Sequence, residues 1–450
     1  MKSLKIPAVA IAASLAMLLS SCAPGSGSAD QGTKTEVITD ASKMGDVTLT
    51  ILDTFTDDNS PIGRWMSSVV DSFEAKYPNI TIERQSENSN DVNATLRLRL
   101  SESGAPDIVP ANQGWSGVGD LASSGLLLNL DPWASAYGWK DSLPDTILQQ
   151  SMATSDGSDI GQGSQYGMPI NQGAFVTAFY NRDLLASLGL TAPKTFDEFT
   201  AALKKASAAG VTPIALGTQD GWPATATLLA IQAAVADADS VRDFVFAKGG
   251  DAASSGLKDA AGYYQSWVDA GYFTPDFAGV PSSDALQRFV EGDGLFTFWY
   301  SGFLPFADQA QADKFGQFIL PRQDGGPLTA VGSSSQNFSV AANTQEANAA
   351  ALFLDYAASP AAGEAAKANQ IIPMFGSFDP TTDSVLLNDG IASLNDVTTS
   401  NGYLPYFDWS TPTMIDTLTV TLQLMFDGQA TPADLVAAVQ ANYDEFRSTR

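Results

Sequence analysis

The stretch Asp46-Val-Thr-Leu-Thr-Ile-Leu52, followed by Ser60-Pro61, decides the fold class. In the first segment apolar residues alternate with threonines, which is typical of a β-strand with one buried face. Ser60 predicts a helix N-cap, and Pro61 predicts the first helical turn, where the missing N–H of proline would have no partner anyway. A strand, a loop and a helix in this order open an α/β unit.

The pattern continues outward from this unit. A helix after Pro61 is predicted from apolar residues at spacings of four, and Pro78 closes it; the stripe comprises Trp65, Val69, Phe73 and Tyr77. A second strand (79–83), a second helix (93–101) and a third strand (106–109) follow. Further on, capping sequences predict a helix ending near 209, a strand at 211–216 and a last helix at 435–446. Alternating strands and helices indicate a parallel sheet with crossovers.

Composition narrows the possible functions. The 450 residues exceed the size of one typical domain, so two or more globular units are expected. The net charge of −27 disfavours contact with nucleic acid. The chain has no histidine and a single cysteine, which excludes His-dependent nucleophilic catalysis and thiolate metal cages within one chain. We expect no cofactor and no bound metal.

The first residues have the features of an export signal. A basic start and a short apolar run up to Leu19 precede Leu19-Ser20-Ser21-Cys22, which resembles a bacterial lipobox. We therefore expect residues 1–21 to be a signal peptide, Cys22 to be diacylated, and 22–45 to be a flexible tether on the outer face of the cell membrane. The alternative is an ordinary signal peptide with an incidental cysteine.

The candidate binding residues follow predicted strands, because ligands of open α/β sheets bind outside the carboxyl ends of the strands. Aromatic rings stack on the flat faces of a sugar, and amides and carboxylates bond its vicinal hydroxyls. The residues of this kind in the relevant loops are Asp57, Asp58, Asn112, Gln113, Trp115, Asn171, Gln172, Asp220, Trp222, Trp299, Ser301 and Gln336. Polar loop ends with scattered tryptophans are also common in α/β proteins that bind no sugar, and Asp or Asn can equally stabilise a turn.

Several segments together resemble the carbohydrate-binding family of extracellular solute-binding proteins of bacterial ABC importers. The most specific is Tyr166-Gly-Met-Pro169, continued by Phe179-Tyr-Asn-Arg-Asp-Leu184 and by Pro193-Lys-Thr-Phe-Asp-Glu-Phe199. The other matching segments are Pro106-Asp-Ile108 with Ser124-Gly-Leu-Leu127, Phe289-Val-Glu-Gly292, Phe353-Leu-Asp-Tyr356, and Asp408-Trp409 through Gly428 to Pro432. The resemblance spans essentially the whole chain after the tether.

The resemblance implies a two-lobed α/β fold of the type II periplasmic-binding-protein kind that closes on its ligand. The expected lobes are 46–170 with 334–358 and 175–329 with 361–450, and the expected hinges lie near 171–174, 330–333 and 358–361. It implies a stacking role for Trp222 and adds Trp409 to the ligand-binding set. The Ala-Ala-Met segment of the family is replaced in this chain by Gly294-Leu-Phe296. We therefore expect the aromatic platform and the bound sugar to differ from those of maltose-binding members of the family.

The main hypothesis is a monomeric, lipid-anchored subunit that captures a di- or oligosaccharide and delivers it to an ABC permease. The alternative is a secreted glycoside hydrolase, which needs no histidine but requires a pair of carboxylates across the scissile bond. A passive adhesin is disfavoured, since no repeats or β-sandwich spacing are present. Among the remaining tryptophans, Trp65 and Trp267 are expected in the core, and Trp133 and Trp139 at surface loops.

Overall fold

The computed structural model describes residues 36–450, apart from 172, 302, 303, 305, 307, 335 and 375. The predicted signal peptide, Cys22 and most of the predicted tether lie outside the described residues. Across the part that is described, no helix combines the length and apolar character needed to cross a bilayer.

The strands, numbered in chain order, are β1 Val47–Asp53, β2 Ile80–Ser86, β3 Ile108–Pro110, β4 Met152–Ala153, β5 Ser164–Gln165, β6 Met168–Pro169, β7 Gly173–Asn181, β8 Phe296–Tyr300, β9 Phe315–Phe318, β10 Ala330–Ser334, β11 Asn337–Val340 and β12 Tyr403–Leu404.

The α-helices are α1 Pro61–Lys76, α2 Ser89–Leu100, α3 Asp120–Ser123, α4 Asp131–Tyr137, α5 Trp139–Ser142, α6 Asp145–Leu148, α7 Arg182–Ser187, α8 Phe196–Ala208, α9 Trp222–Val235, α10 Ala238–Val245, α11 Leu257–Asp269, α12 Ser282–Val290, α13 Gln309–Ala312, α14 Ala347–Ala357, α15 Pro360–Ala368, α16 Val385–Thr399, α17 Met414–Phe426 and α18 Pro432–Arg447. A π-helical turn spans Trp115–Gly119, and 3₁₀ turns span Ala41–Lys43, Gln149–Ser151, Phe277–Gly279 and Phe407–Ser410.

The first lobe is built on the sheet β2-β1-β3-β11-β6. Strands β1, β2 and β3 are parallel, as the alternation of strands and helices predicted, and β11 joins them antiparallel. Helix α1 begins where Ser60 predicted it, with the Ser60 hydroxyl accepting the Gly63 N–H at 3.1 Å. Trp65, Val69 and Phe73 of its apolar stripe are fully buried, Tyr77 is half-buried at the helix end, and Trp65 donates its indole N–H to the Ala362 carbonyl at 3.0 Å.

The second lobe is built on the sheet β12-β10-β7-β8, with β9 also paired to β7. This sheet is largely antiparallel, unlike the parallel arrangement that the strand and helix order predicted. The strand predicted at 211–216 is reduced to isolated bridges at Ile214. Pro213 has no N–H to donate to a neighbouring strand, and this interrupts the ladder there.

The chain passes between the lobes three times: between β6 and β7, between β10 and β11, and between α15 and α16. Two details differ from the expected boundaries. Residues 330–333 lie within β10 of the second lobe. Helix α15 packs on α1 of the first lobe through the Trp65 bond to Ala362, although 361–450 were expected in the second. The apolar surface of α1 covers this helix, which therefore stays with the first lobe.

The end of the predicted tether is also corrected by the structure. The Ile38 N–H bonds the Asn348 side chain at 3.0 Å, and the Asn79 amide bonds the carbonyls of Ala41 at 2.9 Å and Gly45 at 2.7 Å. Residues 38–45 are therefore fixed on the first lobe. Asn79 satisfies backbone carbonyls that a flexible segment would leave to water.

Trp65 and Trp267 are buried, as expected. Trp133 and Trp139, expected at surface loops, are buried as well. Each indole donates to a side chain of α14, Trp133 to Asn348 and Trp139 to Asp355, both at 2.9 Å. A partner for the indole N–H allows these large rings to be buried completely.

Candidate functional site

A cavity of about 590 Å³ lies between the two lobes. From the first lobe it is lined by the loops after β1 and β3 and by the start of α1; from the second it is lined by β7, β8, β10, α9, α17 and the segment before α17. The lining residues are Thr54, Phe55, Ile62, Asn112, Gln113, Ala174, Trp222, Tyr300, Ser333, Ser334, Tyr406, Asp408, Trp409 and Ile415. The carboxyl ends of β1 and β3 open into it, as expected for an α/β sheet.

Aromatic rings form a continuous wall on the second-lobe side. Trp222 stacks on Tyr300 with ring centroids 5.9 Å apart and planes 12° from parallel. Tyr406 meets Trp222 edge-on at 5.7 Å and Trp409 edge-on at 5.2 Å. The Tyr406 hydroxyl donates to the Ala174 carbonyl at 3.1 Å, which fixes the ring. Such a wall can receive the apolar faces of several ring-shaped ligand units.

Amides and hydroxyls join the lobes at the base of the cavity. Gln113, after β3, donates its side-chain amide to the Ser333 hydroxyl on β10. The Ser334 hydroxyl donates to the Gln336 carbonyl at 2.6 Å, and the Gln336 amide reaches the Thr54 hydroxyl at 2.7 Å. Gln336 therefore does not line the cavity; its side chain holds Thr54, which does.

Asp408 lies in the 3₁₀ turn between Tyr406 and Ser410. Its Oδ1 atom is buried and accepts no hydrogen bond from any residue that the structure describes. Burial raises the pKa of this carboxyl to about 7. Burial also raises the pKa of Tyr300 and of Tyr406, and the nearby Asp408 charge adds to both shifts. A phenol is neutral near pH 7 even at its ordinary pKa, and these shifts keep both phenols neutral at higher pH as well.

The indole N–H of Trp222 is a second buried polar group of the wall. Within the described part of the chain it finds no acceptor in hydrogen-bond geometry. An unpaired buried donor is costly, whereas a ligand oxygen at this position would satisfy it. The wall therefore offers a donor at Trp222 and an acceptor at Asp408.

Four of the predicted site residues line the cavity: Asn112, Gln113, Trp222 and Trp409. The two acids of the loop after β1 do not, although Thr54 and Phe55 of that loop do. Asp57 accepts the Asn59 N–H at 2.9 Å and the exposed Asp58 pairs with Arg84 at 3.2 Å, so both residues stabilise the entry to α1.

The remaining predicted residues are held in other roles. Trp115 is buried between the Phe446 ring, 5.1 Å away, and the Arg450 guanidinium, 4.2 Å away. Asn171 accepts the Met374 N–H at 2.8 Å, and Asp220 accepts the Ser282 N–H at 2.8 Å. Ser301 exchanges hydrogen bonds with the Phe175 backbone.

The last two residues of the predicted set are Trp299 and Gln172. Trp299 packs beside Tyr300 on β8 with ring centroids 5.7 Å apart and is absent from the lining. Gln172 lies outside the described residues.

Sequence reasoning found two of the four rings of the aromatic wall, Trp222 and Trp409, and missed the other two and the carboxylate. On β8 it chose Trp299, but successive strand residues face opposite sides, and Tyr300 lines the cavity instead. Near the end of the chain it chose Trp409 and passed over Tyr406 and Asp408. The alternation of side chains along β8 was a usable signal, since only one of the two neighbouring rings can face the ligand.

The two lobes also touch beside the cavity. Gly114, at φ +78°, lies so close to Trp409 that a Cβ atom there would come within 2.5 Å of the Trp409 Cβ. On the same side Arg447 of α18 pairs with Asp159 at 3.0 Å. The structure thus shows a conformation in which the lobes are in contact on one side of the cavity.

Two lobes, three crossings and a cavity between the lobes define a two-lobed solute-binding fold of the maltose-binding-protein type. Solved structures agree with this assignment. A chitin oligosaccharide binding protein superposes with a TM-score of 0.68 at 24% identity, covering 90% of this chain and 99% of that one. The solute-binding protein RafE in complex with raffinose gives 0.64 at 18%, covering 90% and 99%.

Residues 57–364, well over half of the chain, match the family of bacterial extracellular solute-binding proteins. The chain belongs to that family, and the resemblance found from the sequence is confirmed. The family consists of extracellular binding proteins rather than enzymes, which implies export.

The curated relatives share only a modest fraction of identical residues with this chain. A probable sugar-binding periplasmic protein of Mesorhizobium japonicum is 27% identical over 209 residues, 46% of this chain and 48% of that relative. A multiple sugar-binding protein of Streptococcus mutans is 23% identical over 301 residues, 65% and 67% of the two chains. The chain thus spans about half the length of the first of these curated relatives.

Proposed function

We propose that this protein is the substrate-binding subunit of an ABC importer. It captures a di- or oligosaccharide by closure of the two lobes and delivers it to a membrane permease. The observation that carries the proposal is the cavity between the lobes. In it a wall of four neighbouring aromatic rings faces amides and hydroxyls from both lobes. A cavity of 590 Å³ has room for more than one sugar ring.

The relatives support the same ligand class. The curated proteins are described as sugar-binding, and the solved structures include binders of a chitin oligosaccharide and of raffinose. The proposal extends to an exported, monomeric protein held at the outer face of the cell membrane by a diacylated Cys22. Mass spectrometry of the protein extracted from membranes tests the acylation, and Cys22→Ser is expected to release the protein into the medium.

A glycoside hydrolase needs two carboxylates across the scissile bond, about 5–5.5 Å or 6.5–9.5 Å apart. Among the described residues that line the cavity, Asp408 is the single carboxylate. Asp57 and Asp58, the acids that the sequence offered, belong to the loop that begins α1. The geometry therefore supports binding without bond cleavage.

The test is a thermal-shift screen of the purified chain against mono- and oligosaccharides, both neutral and amine-bearing. A specific ligand at a hundredfold excess over Kd stabilises the protein by about 2.7 kcal/mol. The expected outcome is a shift with one or a few oligosaccharides, each recovered intact. Recovery of cleaved sugar would establish a hydrolase instead. A flat screen, with neutral and with amine-bearing sugars alike, would overturn the carbohydrate assignment.

A further inference from the structure

Asp408 stands apart from every other acidic residue near the cavity. Its carboxyl lies in the lining, and Oδ1 is buried without a donor from any of the described side chains or backbone groups. By contrast, Asp58 is paired with Arg84, and Asp220 accepts a backbone N–H. A carboxylate with one oxygen buried and unpaired is destabilising for the protein without ligand. A group that supplies the missing positive charge would relieve that cost.

Nothing in the described lining supplies that charge. The first-lobe loops contribute the neutral side chains of Asn112 and Gln113, α9 contributes Trp222, and α17 contributes Ile415. The titratable groups that face Asp408 are the phenols of Tyr300 on β8 and Tyr406, which are neutral near pH 7. The described lining of the cavity therefore contains one carboxylic acid and no basic group.

The rings around Asp408 favour the same kind of ligand. The π-faces of tryptophan and tyrosine carry partial negative charge and attract ammonium groups within about 6 Å. Trp222, Tyr300, Tyr406 and Trp409 all belong to the wall that includes Asp408. The chain as a whole carries a net charge of −27, which adds a long-range attraction for cations.

We propose that the physiological ligand is an amino sugar, a saccharide whose protonated amine pairs with the Asp408 carboxylate inside the aromatic cavity. This inference rests on the proposed function and narrows its ligand class. A neutral hydroxyl can accept or donate a hydrogen bond at this position, but it leaves the charge of the carboxylate uncompensated. An ammonium group compensates the charge and donates up to three hydrogen bonds.

The pH dependence separates the two kinds of ligand. An ammonium group pairs with ionised Asp408, whose pKa in the empty protein is about 7. Affinity for an amino sugar should therefore fall as the pH is lowered from 7 to 5, by up to about tenfold for each pH unit, because the ionised fraction of the carboxyl falls in that proportion. A neutral sugar that accepts a hydrogen bond from the protonated carboxyl should bind more weakly as the pH rises. The two slopes have opposite signs.

The experiment compares matched pairs of sugars by isothermal titration calorimetry with the full chain. The pairs are glucosamine and glucose, galactosamine and galactose, and the β-1,4 oligomers of glucosamine and of glucose, with N-acetylated oligomers as a third, uncharged member. We expect at least one amino sugar to bind ten times or more tightly than its neutral partner at pH 7. We expect the ratio to approach one at pH 5.

Two variants locate the effect. Asp408→Asn is expected to remove the preference for the amine while leaving weak binding of the neutral partner, and Asp408→Glu is expected to retain the preference. If Asp408→Asn does not fold, the pH series of the unmodified protein decides the question. Binding of neutral sugars with no preference in any pair would overturn this inference and leave the proposed function intact. Absence of binding to every sugar would overturn both.

Discussion

The parallel rings of Trp222 and Tyr300 are the centre of the candidate site at the scale of single residues. Their centroids lie 5.9 Å apart, and the Trp222 indole N–H is buried without an acceptor in the described structure. The pair therefore presents both an extended apolar face and a donor to whatever enters the cavity. Removing the tryptophan removes both contributions at once.

We expect Trp222→Ala to weaken sugar binding by about 1–2 kcal/mol, or roughly five- to thirtyfold, from the lost stacking and the lost donor. Titration calorimetry with the sugar found in the screen measures this. Trp299→Ala is the matched control, because that ring neighbours Tyr300 but lies outside the lining. Equal losses in the two variants would contradict the assignment of Trp222.

Asp408 also predicts how stability depends on pH. Its folded-state pKa of about 7 lies above the unfolded value of about 4, so the protonated carboxyl is favoured in the folded protein. Stability should therefore fall as the pH rises from about 4 to about 7.

The Asp408→Asn variant lacks this titration, so above pH 7 we expect its free energy of unfolding to exceed that of the unmodified protein. The expected difference is about 1.4 kcal/mol for each unit by which folding shifts the pKa, and a few kcal/mol at most. The difference should vanish below pH 4. Urea unfolding without ligand measures it, with the exposed Asp427→Asn as control. A constant difference from pH 4 to pH 8 would show that Asp408 titrates normally.

The sequence could predict which residues line the cavity only where one signal was strong. Trp222 and Trp409 were found because tryptophan at a loop end or at a family position is conspicuous. Tyr300, Tyr406 and Asp408 were missed because their contribution depends on which face of a strand or turn meets the other lobe. That orientation is set by packing between distant segments.

At the scale of single elements, helix starts are controlled by local hydrogen bonds. Helix α18 begins with a complete capping box: the Thr431 hydroxyl accepts the Asp434 N–H at 3.3 Å, and the Asp434 carboxylate accepts the Thr431 N–H at 2.9 Å. Helix α8 has half of such a box, since Glu198 bonds the N–H of Lys194 at 2.7 Å rather than that of Thr195.

We expect Thr431→Ala to destabilise the protein by about 1 kcal/mol, because the Asp434 N–H of the first turn loses its acceptor and the Asp434 carboxylate loses the hydrogen bond from the Thr431 hydroxyl. Urea unfolding followed by circular dichroism measures the change. Thr431→Ser keeps the hydroxyl and should unfold close to the unmodified protein. A similar loss in both variants would mean that the methyl group, not the cap, stabilises this end.

These local signals explain which elements the sequence could predict. The starts of α1, α8 and α18 were found from capping residues, and β1 was found from its alternation. The strand expected at 211–216 failed, since apolar residues there pair only at Ile214. Likewise, nothing local reveals that the strands of the second sheet run antiparallel, because their partners lie more than a hundred residues away along the chain.

At the scale of the whole molecule, the contact between Gly114 and Trp409 controls how closely the lobes approach. Gly114 has a positive φ of 78°, and a Cβ atom there would overlap the Trp409 side chain. A larger residue at position 114 should hold the lobes apart. In the proposed function the ligand is captured by closure of the lobes, so affinity should fall when they are held apart.

We expect Gly114→Ala to enlarge the radius of gyration in small-angle X-ray scattering with ligand and to weaken sugar binding at least several-fold. Gly125→Ala is the control: this glycine also has a positive φ, 69°, but a Cβ there meets nothing within 4 Å. Its backbone strain should lower stability without changing affinity. If both variants bind sugar equally well, the contact does not govern closure.

The two-lobed architecture itself was predicted from the resemblance of segments spread over the chain, and the family match and the solved structures confirm it. Lobe boundaries were harder to place. Helix α15 lies on the first lobe because Trp65 and its apolar neighbours on α1 cover it, a contact between segments nearly three hundred residues apart. Hinge positions near 171–174 stay a prediction.

The aromatic wall also gives the molecule an optical readout. Of the eight tryptophans, Trp222 and Trp409 line the cavity, and five others are buried in the core of the lobes. Entry of a ligand replaces water at the two cavity indoles and supplies the unpaired Trp222 N–H with an acceptor. The fluorescence emission of these two indoles should change in wavelength and intensity when a ligand binds, while the emission of the core indoles stays constant. Intrinsic tryptophan fluorescence can therefore detect ligand binding without a label.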